Sequence, residues 1–172
     1  MLKIMPNRLK PQVEKIIAKN QAGLGARRST TEQIFTLKSI SEKYLQHQQN
    51  LYRVFIDLKK AFGRVWHAAL WASMKNYNIS ANLMRLIKHL YDKATSAVLF
   101  KSSKWGWFRT TVGIRQGCLF SPTLFNIFLE RTLADALEDH ESNVIIRGKT
   151  ITTLHFADDI DGLAGEEEEL AK

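Results

Sequence analysis

Two short stretches decide the fold. One is Val54-Phe55-Ile56-Asp57, an apolar run that ends on a carboxylate. The other is Phe156-Ala157-Asp158-Asp159-Ile160, where two adjacent acids interrupt a second apolar run. The β-prone residues Tyr52 to Ile56 predict a buried strand. Thr150 to Phe156 and Ile160 to Ala164 predict two strand arms, with Asp158 and Asp159 at the tip between them. A carboxylate at a strand end can face a cleft while its strand stays in the core. Adjacent aspartates repel, and their joint ionisation is disfavoured without a cation. Mg²⁺ suits such a pair, because it takes hard oxygen ligands and leaves positions open for phosphate. Taken singly, Asp57 reads more readily as a turn residue, and Asp158-Asp159 as a solvated turn.

Outward from these stretches, helices alternate with strands. A short helix is expected over Val13 to Lys19. Ser29 and Glu32 have capping-box spacing, and the helix they open should carry Ile34, Leu37, Ser41, Tyr44 and Leu45 on one face. Ala68 to Asn76 reads as helical. Ser80 is placed to cap a helix with Leu83, Leu86, Ile87, Leu90 and Tyr91 on one stripe. Ala97 to Phe100 and Trp107 to Val112 read as strands around a polar turn. After the loop Gly113 to Phe120, Ser121-Pro122 marks a helix start. That helix should run to about Leu137 and bury Phe125, Phe128, Leu129, Ala136 and Leu137. Val144 to Arg147 reads as a further strand. This order predicts an α+β fold: a sheet with helices packed on one face.

The chain has 172 residues and a formal charge of +8, or +11 once the acidic end Glu166–Lys172, net −3, is set aside. Such a body suits a polyanion such as nucleic acid. Cys118 is the single cysteine, so neither an internal disulfide nor a cysteine zinc site can form. No run reaches the ~18 apolar residues of a membrane span. Without a signal-peptide pattern, a nuclear or cytoplasmic location and no membrane partner are expected. The five histidines show no ligand spacing. The four tryptophans are expected in core or half-buried positions rather than stacked on bases.

The loop Gly113-Ile114-Arg115-Gln116-Gly117 allows close backbone approach to a base or triphosphate. Gln116 can donate to nucleotide oxygens, and Arg115 can offset phosphate charge. Read alone, it is an ordinary strand-to-helix turn.

FIDLKKAF (55–62), GIRQGCLFSPTLFNIFL (113–129) and FADD (156–159) resemble motifs A, B and C of a reverse transcriptase, in the family's order. QAGLGARRSTTEQIF (21–35) resembles the QAGFRPGRSTTDQI segment of the non-LTR retrotransposon group, LINE and jockey-like, and NRLKP (7–11) sits where that group carries a similar stretch. The likeness spans nearly the whole chain. It implies a polymerase palm over 51–165, a partial fingers segment over 1–50 and an acidic tail over 166–172.

The resemblance also implies roles. Asp57, Asp158 and Asp159 would be catalytic and hold Mg²⁺, or Mn²⁺, with the Leu58 carbonyl as a backbone ligand. Phe62 would lie under the incoming sugar and exclude a 2′-hydroxyl. Arg115, Gln116 and Gly117 would contact the nucleotide, and Arg28 or Arg27 the triphosphate. The implied partners are an RNA template, a DNA primer and dNTPs.

Three departures bear on this. Gly63 stands where relatives carry aspartate. Asp161-Gly162 should weaken the second hairpin arm. The GLGARRS loop lacks the relatives' proline. The thumb and most of the fingers are expected to lie outside this chain. The alternative reading is therefore a catalytically inactive retrotransposon-derived piece with at most nucleic-acid binding.

Overall fold

The computed structural model describes residues 4–17, 21–23, 29–138, 144–146 and 149–170. Its contacts form two compact units, Ile17–Lys59 with Leu129–Lys172, and Met1–Ile16 with Lys60–Phe128.

The unit holding the acidic residues is an antiparallel sheet with helix α2 (Thr30–Gln46) on one face. Its strands are β1 (Tyr52–Asp57), β8 (Thr153–Phe156) and β9 (Asp159–Ala164), in the order β1-β9-β8. The helix starts as expected: the Ser29 hydroxyl accepts from the Glu32 amide at 3.3 Å, satisfying one of the orphan donors of the first turn. The buried stripe is narrower than the sequence pattern. Ile40 is fully buried, flanked by Leu37 and Tyr44, against Val144, Leu154 and Leu163. Ile34 and Leu45 stay exposed at 66% and 78%, because only the middle of the helix meets the sheet.

The burial expected of the Tyr52–Ile56 strand is not observed. β1 is an edge strand, and its Val54, Phe55 and Ile56 are exposed. The central strand is β9, whose Ile160 to Ala164 are all buried. The Asp161-Gly162 arm is therefore intact. Arg53 neutralises Asp161 at 2.6 Å, and Gly162 sits between Val54 and Thr153 in the ladder. In place of the expected continuous strands, two-residue strands β6 (Ile145–Ile146) and β7 (Lys149–Thr150) pair only with each other, as a separate two-stranded sheet. A four-residue helix, α6 (Glu167–Leu170), follows β9.

In the other unit, α1 spans Ile4–Val13 rather than the expected Val13–Lys19. Met5, Leu9 and Val13 recur every four residues and bury one face. Helices α3 (His67–Asn76) and α4 (Ala81–Asp92) follow. In α4 Leu83, Ile87 and Tyr91 are buried, while Leu86 and Leu90 are exposed. Ser80 precedes α4 without a side-chain cap bond; its amide instead donates to Gln12 Oε1 at 3.1 Å.

The stretch expected as two strands breaks into two small pairs. β2 (Thr95–Ser96) pairs with β5 (Phe108–Arg109), and β3 (Leu99–Phe100) with β4 (Ser103–Lys104). Positive φ at Lys101 and Ser102 closes the inner pair as a tight hairpin turn. Trp66, Trp105 and Trp107 are exposed rather than packed. Helix α5 (Ser121–Ala136) buries Leu124, Phe125, Ile127 and Leu129, whereas Ala136 is exposed.

Candidate active site

The register of β1 and β9 pairs Asp57 directly with Asp159. Side chains opposed in this way share a face, with Cβ atoms roughly 5 Å apart. Asp158 is one residue away, in the two-residue turn between β8 and β9, where Ala157 holds a positive φ of 55°. The strand ending in Asp57 thus lies beside the hairpin that carries Asp158 and Asp159.

The electrostatics separate these acids from their neighbour. Arg53, Phe55 and Asp57 share a face with Asp159, Asp161 and Leu163. On that face Asp161 is paired with Arg53. No basic side chain pairs with Asp57, Asp158 or Asp159 among the described residues. Like charges placed opposite each other on a sheet are destabilising, and a cation is the simplest relief.

Asp57 and Asp159 also line a cavity of about 330 Å³, walled mainly by Ile34, Leu37, Phe55, Leu154 and Phe156. Among the described residues no three His, Cys, Asp or Glu side chains gather closely enough to cage an ion. An open carboxylate set suits Mg²⁺, which keeps several waters and binds through one or two carboxylates plus substrate phosphates.

In the other unit, a 3-10 turn (Ala61–Arg64) carries Phe62. The ring stacks on Phe125, with centroids 4.7 Å apart and planes 12° off parallel. The Ile114 amide donates to the Phe62 carbonyl at 2.8 Å, and the Gly113 amide to the Val65 carbonyl at 2.8 Å. Trp66 bridges Val112. Gly113 has φ +90°, and a Cβ there would sit 3.0 Å from the Gly63 carbonyl oxygen. Arg115, Gln116 and Gly117 are exposed on the loop that follows. Gly117 has φ +79°, a conformation glycine takes without steric cost. The Leu58 backbone directly follows β1, in the unit of the carboxylates. Arg27 and Arg28 lie outside the described residues.

A profile described as "Reverse transcriptase (RNA-dependent DNA polymerase)" matches residues 1–172. The chain belongs to the reverse transcriptase family. Its relatives are retrotransposon polymerases of the non-LTR group. It is 27% identical over 87% of its length to the RNA-directed DNA polymerase from mobile element jockey of Drosophila funebris. It is 29% identical over 71% of its length to a Pol polyprotein from the type-1 retrotransposable element R2 of Nasonia vitripennis. The chain spans only 16% and 12% of those relatives' lengths. Among solved structures it resembles an apo telomerase from Candida tropicalis, with a TM-score of 0.73 and 17% identity over 99% of this chain and 35% of that one. That likeness speaks to the fold.

Several supports of this reverse transcriptase domain carry no signal in spacing. His67 Nε2 lies 2.7 Å from the Gly113 carbonyl; as a carbonyl only accepts, the Nε2–H donates. The same ring meets Trp71 and Tyr91, and Tyr91 meets Phe120 at the other end of the loop. Burial pushes the Tyr91 phenol above its ordinary value, partly offset by the neighbouring Ser121 hydroxyl and Arg115 backbone. Among the described residues neither the Tyr91 nor the Ser121 hydroxyl completes a hydrogen bond of full geometry. Gln21, buried beside the Asp158 turn, also escaped the sequence reading. Its place in QAG was the only hint. Among the described residues no helix is long and apolar enough to cross a membrane.

Proposed function

We propose that this chain carries the nucleotidyl-transfer chemistry of an RNA-directed DNA polymerase, acting on an RNA template, a DNA primer and dNTPs. The observation that carries the reading is the Asp57–Asp159 register pair, unneutralised, with Asp158 in the adjoining turn. Asp57 and Asp158 would be the direct ligands of Mg²⁺ or Mn²⁺, with Asp159 completing the acidic tip and the Leu58 carbonyl as a backbone ligand. When bound, a metal pair lowers the pKa of the primer hydroxyl and neutralises charge on the phosphates.

The chain's own groups do the rest. Phe62, held against Phe125, is the residue that would lie under the incoming sugar and exclude a 2′-hydroxyl, as the motif A resemblance implies. Gln116 donates to the nucleotide, Gly117 leaves space beside it, and Arg115 and Arg28 offset triphosphate charge. The partition into fingers segment 1–50, palm 51–165 and tail 166–172 is part of this reading, as is a nuclear or cytoplasmic site of action.

The test is primer extension on an RNA template with Mg²⁺ or Mn²⁺. The parent chain should extend the primer, and Asp57→Ala and Asp158→Ala should each abolish extension. Failure of the parent at every protein concentration would favour a non-catalytic, nucleic-acid-binding piece. Gly63, where the motif A resemblance implies an aspartate, is the feature on that side.

A further inference from the structure

We infer that Gln21 is a positioning residue: its side chain fixes the turn that presents Asp158, and so sets the metal affinity of the carboxylate site. This rests on the metal-binding role proposed above.

Gln21 is 1% exposed. Its Oε1 accepts two main-chain hydrogen bonds, from Gly23 N at 2.7 Å and from Ala157 N at 3.1 Å. The residue also forms a parallel bridge with His155, and the Ala22 amide donates to the His155 carbonyl at 2.9 Å. Residues 21–23 are therefore stitched along the end of β8, and one amide oxygen reaches past it to the turn.

Two features show how tight the fit is. Ala157 holds φ +55°, a conformation that an L-residue abandons unless something restrains it. A Cβ at Gly23 would fall on the Ala157 nitrogen and within 3.0 Å of its Cα. The bond to Gln21 is a side-chain restraint on the Ala157 amide. Asp158 is the next residue, so the direction of its carboxylate follows from Ala157's backbone. Without the acceptor, Ala157 relaxes towards negative φ and swings Asp158 away from the Asp57–Asp159 pair. Groups that orient metal ligands from behind typically change metal affinity 10–100-fold when removed.

The test uses the full chain with Mn²⁺ alone, bound metal being followed by electron paramagnetic resonance, and backbone amide exchange read by NMR. Gln21→Met keeps the side chain's length but has no oxygen acceptor. It should weaken Mn²⁺ binding about tenfold or more and speed exchange of the Ala157 and Gly23 amides by a similar factor, leaving α4 amides unchanged. Adding Ala157→Gly to Gln21→Met should recover much of the affinity if the weakened variant adopts the same turn, because glycine takes positive φ freely. A general packing defect would not be rescued this way.

If Gln21→Met does not fold, Gln21→Asn replaces it, since its amide is one methylene too short to reach both donors. Unchanged Mn²⁺ affinity with unchanged Ala157 protection would overturn the inference. A parent chain that binds no Mn²⁺ counts against the proposed function instead, and the Ala157 amide then decides the role of Gln21 by itself.

Discussion

Replacing Arg53 with leucine should destabilise the sheet by about 2–3 kcal/mol. Arg53 meets Asp161 through two nitrogens, at 2.6 and 3.4 Å. The arginine side chain is 27% exposed and the aspartate 11%. Breaking a fully buried pair by removing one partner costs about 3–5 kcal/mol, whereas an exposed pair contributes roughly 0–1 kcal/mol. The near-burial of Asp161 puts this pair towards the upper case, and the access of water to Arg53 brings it down. The guanidinium also lies 4.6 Å from the Phe55 ring centroid, worth about 0.5–1 kcal/mol at an exposed site.

The cost comes mainly from the stranded carboxylate. Arg53→Leu with Asp161→Leu should therefore be less destabilised than the sum of the single changes by at least about 1.5 kcal/mol. The assay is urea unfolding of the four proteins, followed by far-UV circular dichroism. Tryptophan fluorescence is unsuitable, because all four tryptophans lie between residues 66 and 107, in the other unit. A single-variant loss below about 0.5 kcal/mol, or simple additivity, would refute the reasoning that Asp161 depends on Arg53.

Three further outcomes are expected. Gly63→Asp should change stability by less than about 0.5 kcal/mol, since a Cβ there meets nothing closer than the Lys60 Cβ at 4.0 Å; thermal unfolding checks this. Phe62→Val removes the stack on Phe125, so it should cost about 1 kcal/mol of stability and lower the preference for dNTP over rNTP in primer extension. Tyr91→Phe should flatten the alkaline limb of the stability curve. The folded phenol titrates above the ordinary 10.0 because of burial, so the parent's stability from this group is intact below that value. It is lost as pH rises through the folded pKa, where only the unfolded chain readily releases the proton. Urea midpoints measured from neutral pH upward would show the difference, and equal slopes for both proteins would count against it.

The fold class was legible because strand and helix periods differ and the acids break the apolar runs sharply. The Ser29 cap was legible for a local reason: hydroxyl and amide lie three residues apart. Burial was not, because it depends on which strand becomes central. Val54-Phe55-Ile56 is the more apolar run yet lies at the edge, and Asp-Ile-Asp-Gly fills the middle because Arg53 from the neighbouring strand neutralises Asp161.

The site followed the same division. Asp57, Asp158 and Asp159 could be named from residue type and order, since a strand terminus and a turn are local features. Gln21 and His67 could not, because each acts on a main-chain group 136 or 46 residues away. Such contacts leave no mark on hydropathy or spacing.

The stitching of the Phe62 turn to the Gly113–Ile114 backbone constrains how this domain can change. The residue proposed to judge the sugar and the loop proposed to hold the nucleotide share one scaffold, so neither can be redesigned alone. A laboratory selection for a different sugar should return paired substitutions, one within 61–67 and one within 112–117. A chimera that imports the loop from a distant relative should work only when it imports the matching turn. The two motifs are inherited as separate words of sequence, but mutation has to treat them as one.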